Sequence, residues 1–138
     1  MTGITHLPTL LASLQPLLSR QEYVFVKLNA ADYGDGASLA PIACFLEDED
    51  LTLIVPRSEA DSAGMSYEGV FRKITLQVES SLDAVGLTAE VAGALADHAI
   101  AANVVAAFHH DHIFVPSSRA QDAFDVLTTL SKSFASVQ

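Results

Sequence analysis

Residues able to do chemistry are densest at 108–116, Phe-His-His-Asp-His-Ile-Phe-Val-Pro, where His109, His110, Asp111 and His112 are consecutive. His110 and His112, two apart, would share one side of a strand and could offer imidazole nitrogens to a metal. A closed site takes three or four ligands, however, and the sequence supplies no second cluster of Cys or His. His6 and His98 stand alone and read as helix-surface or packing residues. The run is therefore read first as a polar hairpin turn. The alternatives are adventitious metal or proton sensitivity, or a metal-binding protein or hydrolase built on the His109–His112 cluster.

Other constellations are weaker. The carboxylate run Glu47–Asp50 reads as a solvated tip rather than an acid/base pair. Serines occur in pairs at 80–81 and 117–118, at expected helix starts where capping accounts for them. Cys44 is the only cysteine, which excludes an intramolecular disulfide, and its setting in Pro-Ile-Ala-Cys-Phe-Leu-Glu leads us to expect a buried, inert thiol. No nucleophile elbow, phosphate-binding glycine loop or dinucleotide fingerprint is present. No catalytic residue, resident metal or cofactor is expected.

The elements that must position these residues come from a chain of 138 residues, half hydrophobic and 17% charged, enough for one domain or two small modules. Seven Lys and Arg against 17 Asp and Glu give a net charge of −10, and the cations are scattered apart from Arg72-Lys73, which argues against nucleic acid. No apolar run approaches the ~20 residues of a membrane helix. The N-terminus lacks the cationic start and cleavage site of a signal peptide. A soluble, cytoplasmic protein is expected.

Leucines at 7, 10, 11, 14, 17 and 18 predict a helix over 5–18, with Thr5 as cap and Pro16 ending it. Residues 22–28, Glu-Tyr-Val-Phe-Val-Lys-Leu, predict a strand, followed by a Gly-punctuated loop. Two apolar runs around Asp48-Glu49-Asp50 predict a hairpin with an acidic tip, and the next short helix stops at Gly64. Residues 70–78 alternate as a strand with one apolar face. Leu87, Val91 and Leu95, separated by small residues, mark a helix that can lie close on a sheet. Strand-like stretches at 101–108 and 112–116 precede an amphipathic helix with apolar positions 120, 123, 127, 130 and 134.

An internal repeat organises these pieces. Residues 54–63 and 114–123 match at five of ten positions, with Val55, Pro56, Ser58, Ala60 and Ala63 opposite Val115, Pro116, Ser118, Ala120 and Ala123. In each copy a strand ends at Pro, Ser is expected to cap the following helix, and Ala permits close packing. The offset places the acidic tip of one copy opposite the histidine turn of the other, which argues for two copies of one strand–hairpin–helix unit.

The stretch Val78-Glu-Ser-Ser-Leu-Asp-Ala-Val-Gly-Leu-Thr-Ala reads as strand, polar loop and helix start. Gly86 permits close backbone approach, and the free amides of the helix start can receive a carboxylate. Asp83 can cap the helix or bind an ammonium. The pair would suit a zwitterion, or would serve only to turn and cap the chain.

The strand, the x-Asp-x-x-Gly-hydrophobic loop, the helix, and the Ile100–Phe108 and His112–Pro116 strands resemble the ACT domain family, over nearly the whole chain. More narrowly, they resemble small stand-alone bacterial proteins with tandem ACT modules, arranged like the paired regulatory modules of aspartate kinases. The resemblance implies an α+β fold of two ferredoxin-like (βαββαβ) modules in tandem. A first, divergent and shortened module would span 1–65 and a second 66–138. Because the second module ends in a helix and lacks its last strand, exchanged strands are expected, the N-terminal segment completing the second module's sheet. The family implies sensing of a small ligand, an amino acid above all, through allosteric or oligomer-level effects without catalysis. By that resemblance the ligand would touch Leu82, Asp83, Val85, Gly86 and Leu87, with Asn103 and Val104 on a facing strand. The segment 29–40 is too short and Gly-rich for a full first helix, so a matching second pocket is not expected. A homodimer is expected, since exposed sheet edges are a liability. The competing reading is a structural or interaction module without ligand.

Overall fold

The computed structural model describes residues 3–136. The chain divides into two compact units. One comprises residues up to Ser19 together with those from Arg72 onward, and the other is Arg20–Phe71. We call them the composite unit and the central unit.

The composite unit opens with α1 (Leu7–Ala12), whose Pro8 sits harmlessly in the first turn. The helix is shorter than the leucine spacing predicts. It ends at Ser13, Gln15 takes a left-handed φ of +48°, and Pro16 begins strand β1 (Pro16–Asn29) instead of merely ending a helix. Thr5 does not cap it: the N-cap is His6, with no side-chain cap hydrogen bond, and His6 Nδ1 lies 2.8 Å from Thr9 Oγ1. Leu17 and Leu18 therefore lie on a strand, which starts well before the β-branched 22–28 stretch. Pairing overrides propensity here. Arg72 donates from Nε and Nη2 to the Ser19 carbonyl at 2.8 and 2.6 Å, and the Lys73 amide donates to Ser19 Oγ at 3.0 Å.

The remaining elements of this unit are β4 (Phe71–Leu76), α3 (Leu87–Ala96), β5 (Asn103–Ala106), β6 (Asp111–Pro116), a 3₁₀ turn Ser117–Arg119, and α4 (Ala120–Ala135). Its strand order is β1–β4–β6–β5, with only Pro16–Ser19 of β1 belonging to it. One face of these strands is buried by all three helices. Leu10, Leu11 and Leu14 meet Ile74, Leu76 and Val78 of the β4 region, Leu87, Val91 and Leu95 of α3, Ile113 and Val115 of β6, and Ala120, Ala123 and Leu127 of α4. The 3.6-residue spacing is met by burial at Leu87, Val91 and Leu95 of α3 and at Ala120, Ala123 and Leu127 of α4, while Leu130 and Phe134 are only partly buried. The N-terminal segment packs with the C-terminal elements, as the predicted exchange requires.

The central unit holds the rest of β1, a 3₁₀ turn Ala37–Leu39, β2 (Ala43–Leu46), β3 (Asp50–Pro56) and α2 (Arg57–Ser62), in strand order β2–β3–β1. The segment expected to be too short for a first helix forms only the 3₁₀ turn. Its core is smaller: Val24, Val26, Leu39, Leu51, Leu53, Val55 and Ala60, with Met65, Tyr67 and Val70 at the margin. α2 ends at Gly64, φ +67°, through paired bonds from the Met65 amide to the Ala60 carbonyl and from the Gly64 amide to the Asp61 carbonyl. Cys44 departs from expectation: it is exposed. Among the described residues β2 pairs only with β3, so side chains on this short edge strand are left outside the core.

Candidate functional site

The stretch singled out for ligand chemistry joins β4 to α3. The backbone of residue 4 anchors it. The Ile4 amide donates to the Glu79 carbonyl and the Ser81 amide to the Ile4 carbonyl, both at 3.0 Å. Ser81 is buried and shapes the turn, its Oγ accepting from the Asp83 amide at 3.1 Å and its carbonyl from the Ala84 amide at 3.0 Å. It does not cap a helix, because α3 begins only at Leu87.

Gly86 is the N-cap of α3, with φ +100°. A Cβ there would stand 2.9 Å from Leu7 Cδ2, so glycine is required both by its left-handed backbone and by the approach of α1. No side chain caps α3, which leaves amides of its first turn without a side-chain acceptor. Asp83, one of the two roles offered for it being a cap, does not act as one. Its carboxylate is exposed, and among the described residues it makes no hydrogen bond or ion pair. Leu82 and Val85 are also exposed, Val85 at 83%.

The other predicted residues fall elsewhere. Leu87 is buried in the core, and Val104 on β5 packs against the same cluster. Asn103 precedes Val104 on the strand and so presents its side chain to the opposite face. Its amide donates to the Phe114 carbonyl at 3.3 Å. The structure thus places Leu82, Asp83, Val85 and Gly86 on one loop and Leu87 with Val104 in the core, with Asn103 apart from both.

The histidine run is a hairpin turn. The Ala107 amide donates to the His110 carbonyl at 3.1 Å, closing the loop between β5 and β6. His109 is exposed, with Nδ1 3.7 Å from Glu79 Oε1. His112 lies on β6, its Nδ1 3.0 Å from Thr75 Oγ1. Burial lowers its pKa from the ordinary 6.5, reinforced by Lys73 and His110, while Asp111 opposes the shift. The Nδ1 of His110 is buried without a hydrogen-bond partner among the described residues. No group of three or more His, Cys, Asp or Glu among the described residues is placed to hold a metal ion. Nor is any described helix long and apolar enough to cross a membrane.

Sequence reasoning missed a polar cluster in the central unit. Arg57 donates from Nε to Tyr67 Oη and from Nη1 to Glu22 Oε1, both at 3.1 Å, and the Tyr67 hydroxyl donates to Asp61 Oδ1 at 2.7 Å. These hydrogen bonds raise the Arg57 pKa, Tyr67 contributing most and Glu22 next. Only the Arg57–Asp61 spacing, one helical turn, was visible in the sequence.

Two family models match the chain in tandem, each described as an ACT domain, over residues 2–72 and 68–129. The chain belongs to the ACT domain family. An ACT domain is a ligand-binding regulatory module, and this chain carries two. Among solved structures, a Vibrio cholerae protein, VC0802, described as of unknown function and a possible transport protein, is 45% identical. The match covers 94% of this chain and 99% of that one, with a TM-score of 0.83. Protein Atu0741 from Agrobacterium tumefaciens is 18% identical over 80% of this chain and 84% of its own, TM-score 0.66. The regulatory subunit of aspartate kinase from Thermus thermophilus shares the ACT fold at 10% identity over 83% and 95%, TM-score 0.57. No curated protein matches the chain.

Proposed function

We propose that this tandem ACT protein binds a small amino acid at the Leu82–Gly86 loop and regulates by binding, without catalysis. The observation that carries this reading is the combination at the start of α3: a free Asp83 carboxylate for an ammonium, and uncapped helix amides beyond a left-handed Gly86 for a carboxylate. Leu87, Asn103 and Val104 stay in the proposed set by the family resemblance alone: Leu87 is buried in the core, Val104 packs at its margin, and Asn103 lies on β5 apart from the loop. The same fold serves as the regulatory subunit of an aspartate kinase in Thermus thermophilus, which supports a regulatory role. We further propose a cytoplasmic homodimer in which a second copy covers Leu82 and Val85, whose exposure leaves the loop open on one side.

Thermal denaturation against the twenty amino acids tests the reading. A true ligand at a hundred times its Kd adds ~2.7 kcal/mol of stability. Asp83→Asn should abolish that gain while leaving the unliganded protein unchanged. A protein indifferent to every amino acid, yet a stable dimer, would favour a purely structural module.

A further inference from the structure

The two hairpins are built alike and finished differently. Registers coincide after shifting by sixty: Ala43 pairs with Ile54 and Asn103 with Phe114, Phe45 with Thr52 and Val105 with His112. The closing bonds coincide as well, from the Glu47 amide to Asp50 and from the Ala107 amide to His110. Differences between the copies at matched positions are therefore not demanded by the hairpin itself.

Those differences collect on the β2 edge. Where one copy has Ala102 just before β5 and Val105 and Ala106 on it, the other has Ile42 just before β2 and Phe45 and Leu46 on it, exposed at 44%, 68% and 41%. Where β5 leads into Ala107–His110, β2 leads into Glu47-Asp48-Glu49-Asp50. β2 is terminal in its strand order, so one row of its backbone groups has no strand partner among the described residues. Beside the tip opens a cavity of about 400 Å³, lined by Ala31, Asp32, Leu46, Glu47, Glu49 and Asp50 among others. Ala30, Ala31 and Leu46 give it apolar lining. Of its acids, Asp50 is paired with Lys27 at 3.2 Å and Glu47 accepts from the Thr52 hydroxyl. That leaves Asp48 and Glu49 of the tip to receive the ammonium of an incoming lysine whose methylenes lie on the apolar part.

We propose that β2 is a docking edge for an extended, basic segment of another protein, which adds as a strand beside Ala43–Leu46 and seats a lysine or arginine at the acidic tip. Main-chain hydrogen bonds supply the pairing, Ile42, Phe45 and Leu46 the apolar contact, and the tip the choice of partner. At this edge the choice is local: Glu47, Asp48, Glu49 and Asp50 favour a strand that carries cations over one that carries acids.

The test uses the full chain and a synthetic peptide alternating valine with lysine, beside one alternating valine with glutamate. Cys44, exposed on β2 and the only cysteine, is the reporter through its rate of alkylation. The lysine peptide should slow alkylation and protect the amides of Ala43–Leu46 from hydrogen exchange, leaving Asn103–Ala106 unchanged, with an affinity that falls as salt rises. Phe45→Lys should weaken binding about tenfold or more, and Glu47→Gln with Glu49→Gln should flatten the salt dependence. Both variants alter exposed side chains, and unchanged melting of each confirms an intact fold. Equal binding of the glutamate peptide would overturn the proposal, as would protection confined to β5. So would a peptide-free dimer that shields Cys44 and is dissociated by Phe45→Lys, since the occupant would then be a second copy.

Discussion

The repeat copies around β3–α2 and β6–α4 start from the same joint and diverge at single residues. The two strands end at Pro56 (φ −55°, ψ 136°) and Pro116 (φ −53°, ψ 133°). Ala60 and Ala120 are then both fully buried. Three residues after Ala60 and Ala120 come Ala63 and Ala123, of which only Ala123 is buried. The cause is the next position. Gly64 takes a left-handed turn and ends α2 after six residues, whereas Phe124 continues α4 to sixteen. One copy thereby gains a long amphipathic helix and a large core, and the other keeps a stub and a small one. A duplicated frame fixes the joint, while one glycine decides how much apolar surface each copy can bury.

The contrast can be broken most completely by separating the chain near residue 65. Because segments before Ser19 and after Arg72 form one unit, expressing 1–65 and 66–138 apart should yield two insoluble products, and two cooperatively melting halves would refute the exchange. Next in size is a matched pair of core truncations. Ile113→Ala in the larger core should cost toward the upper end of ~2–5 kcal/mol, and Leu53→Ala at the same hairpin position should lie toward the lower end, by urea unfolding. A pair of N-cap glycines comes third. Gly86→Ala meets both a left-handed backbone and Leu7, for about 1–3 kcal/mol. Gly36→Ala, at an ordinary φ of −98°, escapes the backbone cost but sets a Cβ 2.2 Å from Cδ1 of the core residue Leu53, and overpacking should cost about 1–3 kcal/mol.

A smaller effect follows from the histidine turn. His112 has a lower pKa folded than unfolded, so the unfolded chain binds its proton more readily. Its contribution to stability is complete above the unfolded value of about 6.5 and is lost as pH falls through the folded value. The urea midpoint should fall between pH 7.5 and pH 5, and His112→Gln should make that slope shallower. The smallest effect separates the repeat serines from the role their position suggests. Neither Ser58 nor Ser118 caps, so Ser58→Ala and Ser118→Ala should each shift stability by less than about 0.5 kcal/mol.

What the sequence revealed and concealed divides along physical lines. Periodic burial was legible: Leu87, Val91 and Leu95, or Ala120, Ala123 and Leu127, follow from helical spacing alone. The hairpins were legible because polar residues separate two apolar runs, and Gly64 because a left-handed helix end favours glycine. What misled was local chemistry overruled by partners distant in sequence. Leu17 and Leu18 continue a helical pattern but join a strand, because Arg72 and Lys73 bind the backbone and side chain of Ser19. Cys44 looked buried because its neighbours are apolar, yet an edge strand leaves such residues outside. At the candidate site, the turn made by Ser81 and the approach of Leu7 to Gly86 depend on the N-terminal segment, seventy-odd positions away in the chain. No local pattern encodes that approach. The free Asp83 carboxylate was foreseeable only as one of two roles.

Strand β1 belongs to both units, and this has a consequence for synthesis. Leu10, Leu11 and Leu14 leave the ribosome long before the β6 and α4 surfaces that bury them. Meanwhile Arg20–Phe71 has all its own strands and can condense. Until α4 is made these leucines have no cover, so a stall between β3 and β6 would leave them exposed beside an already condensed central unit.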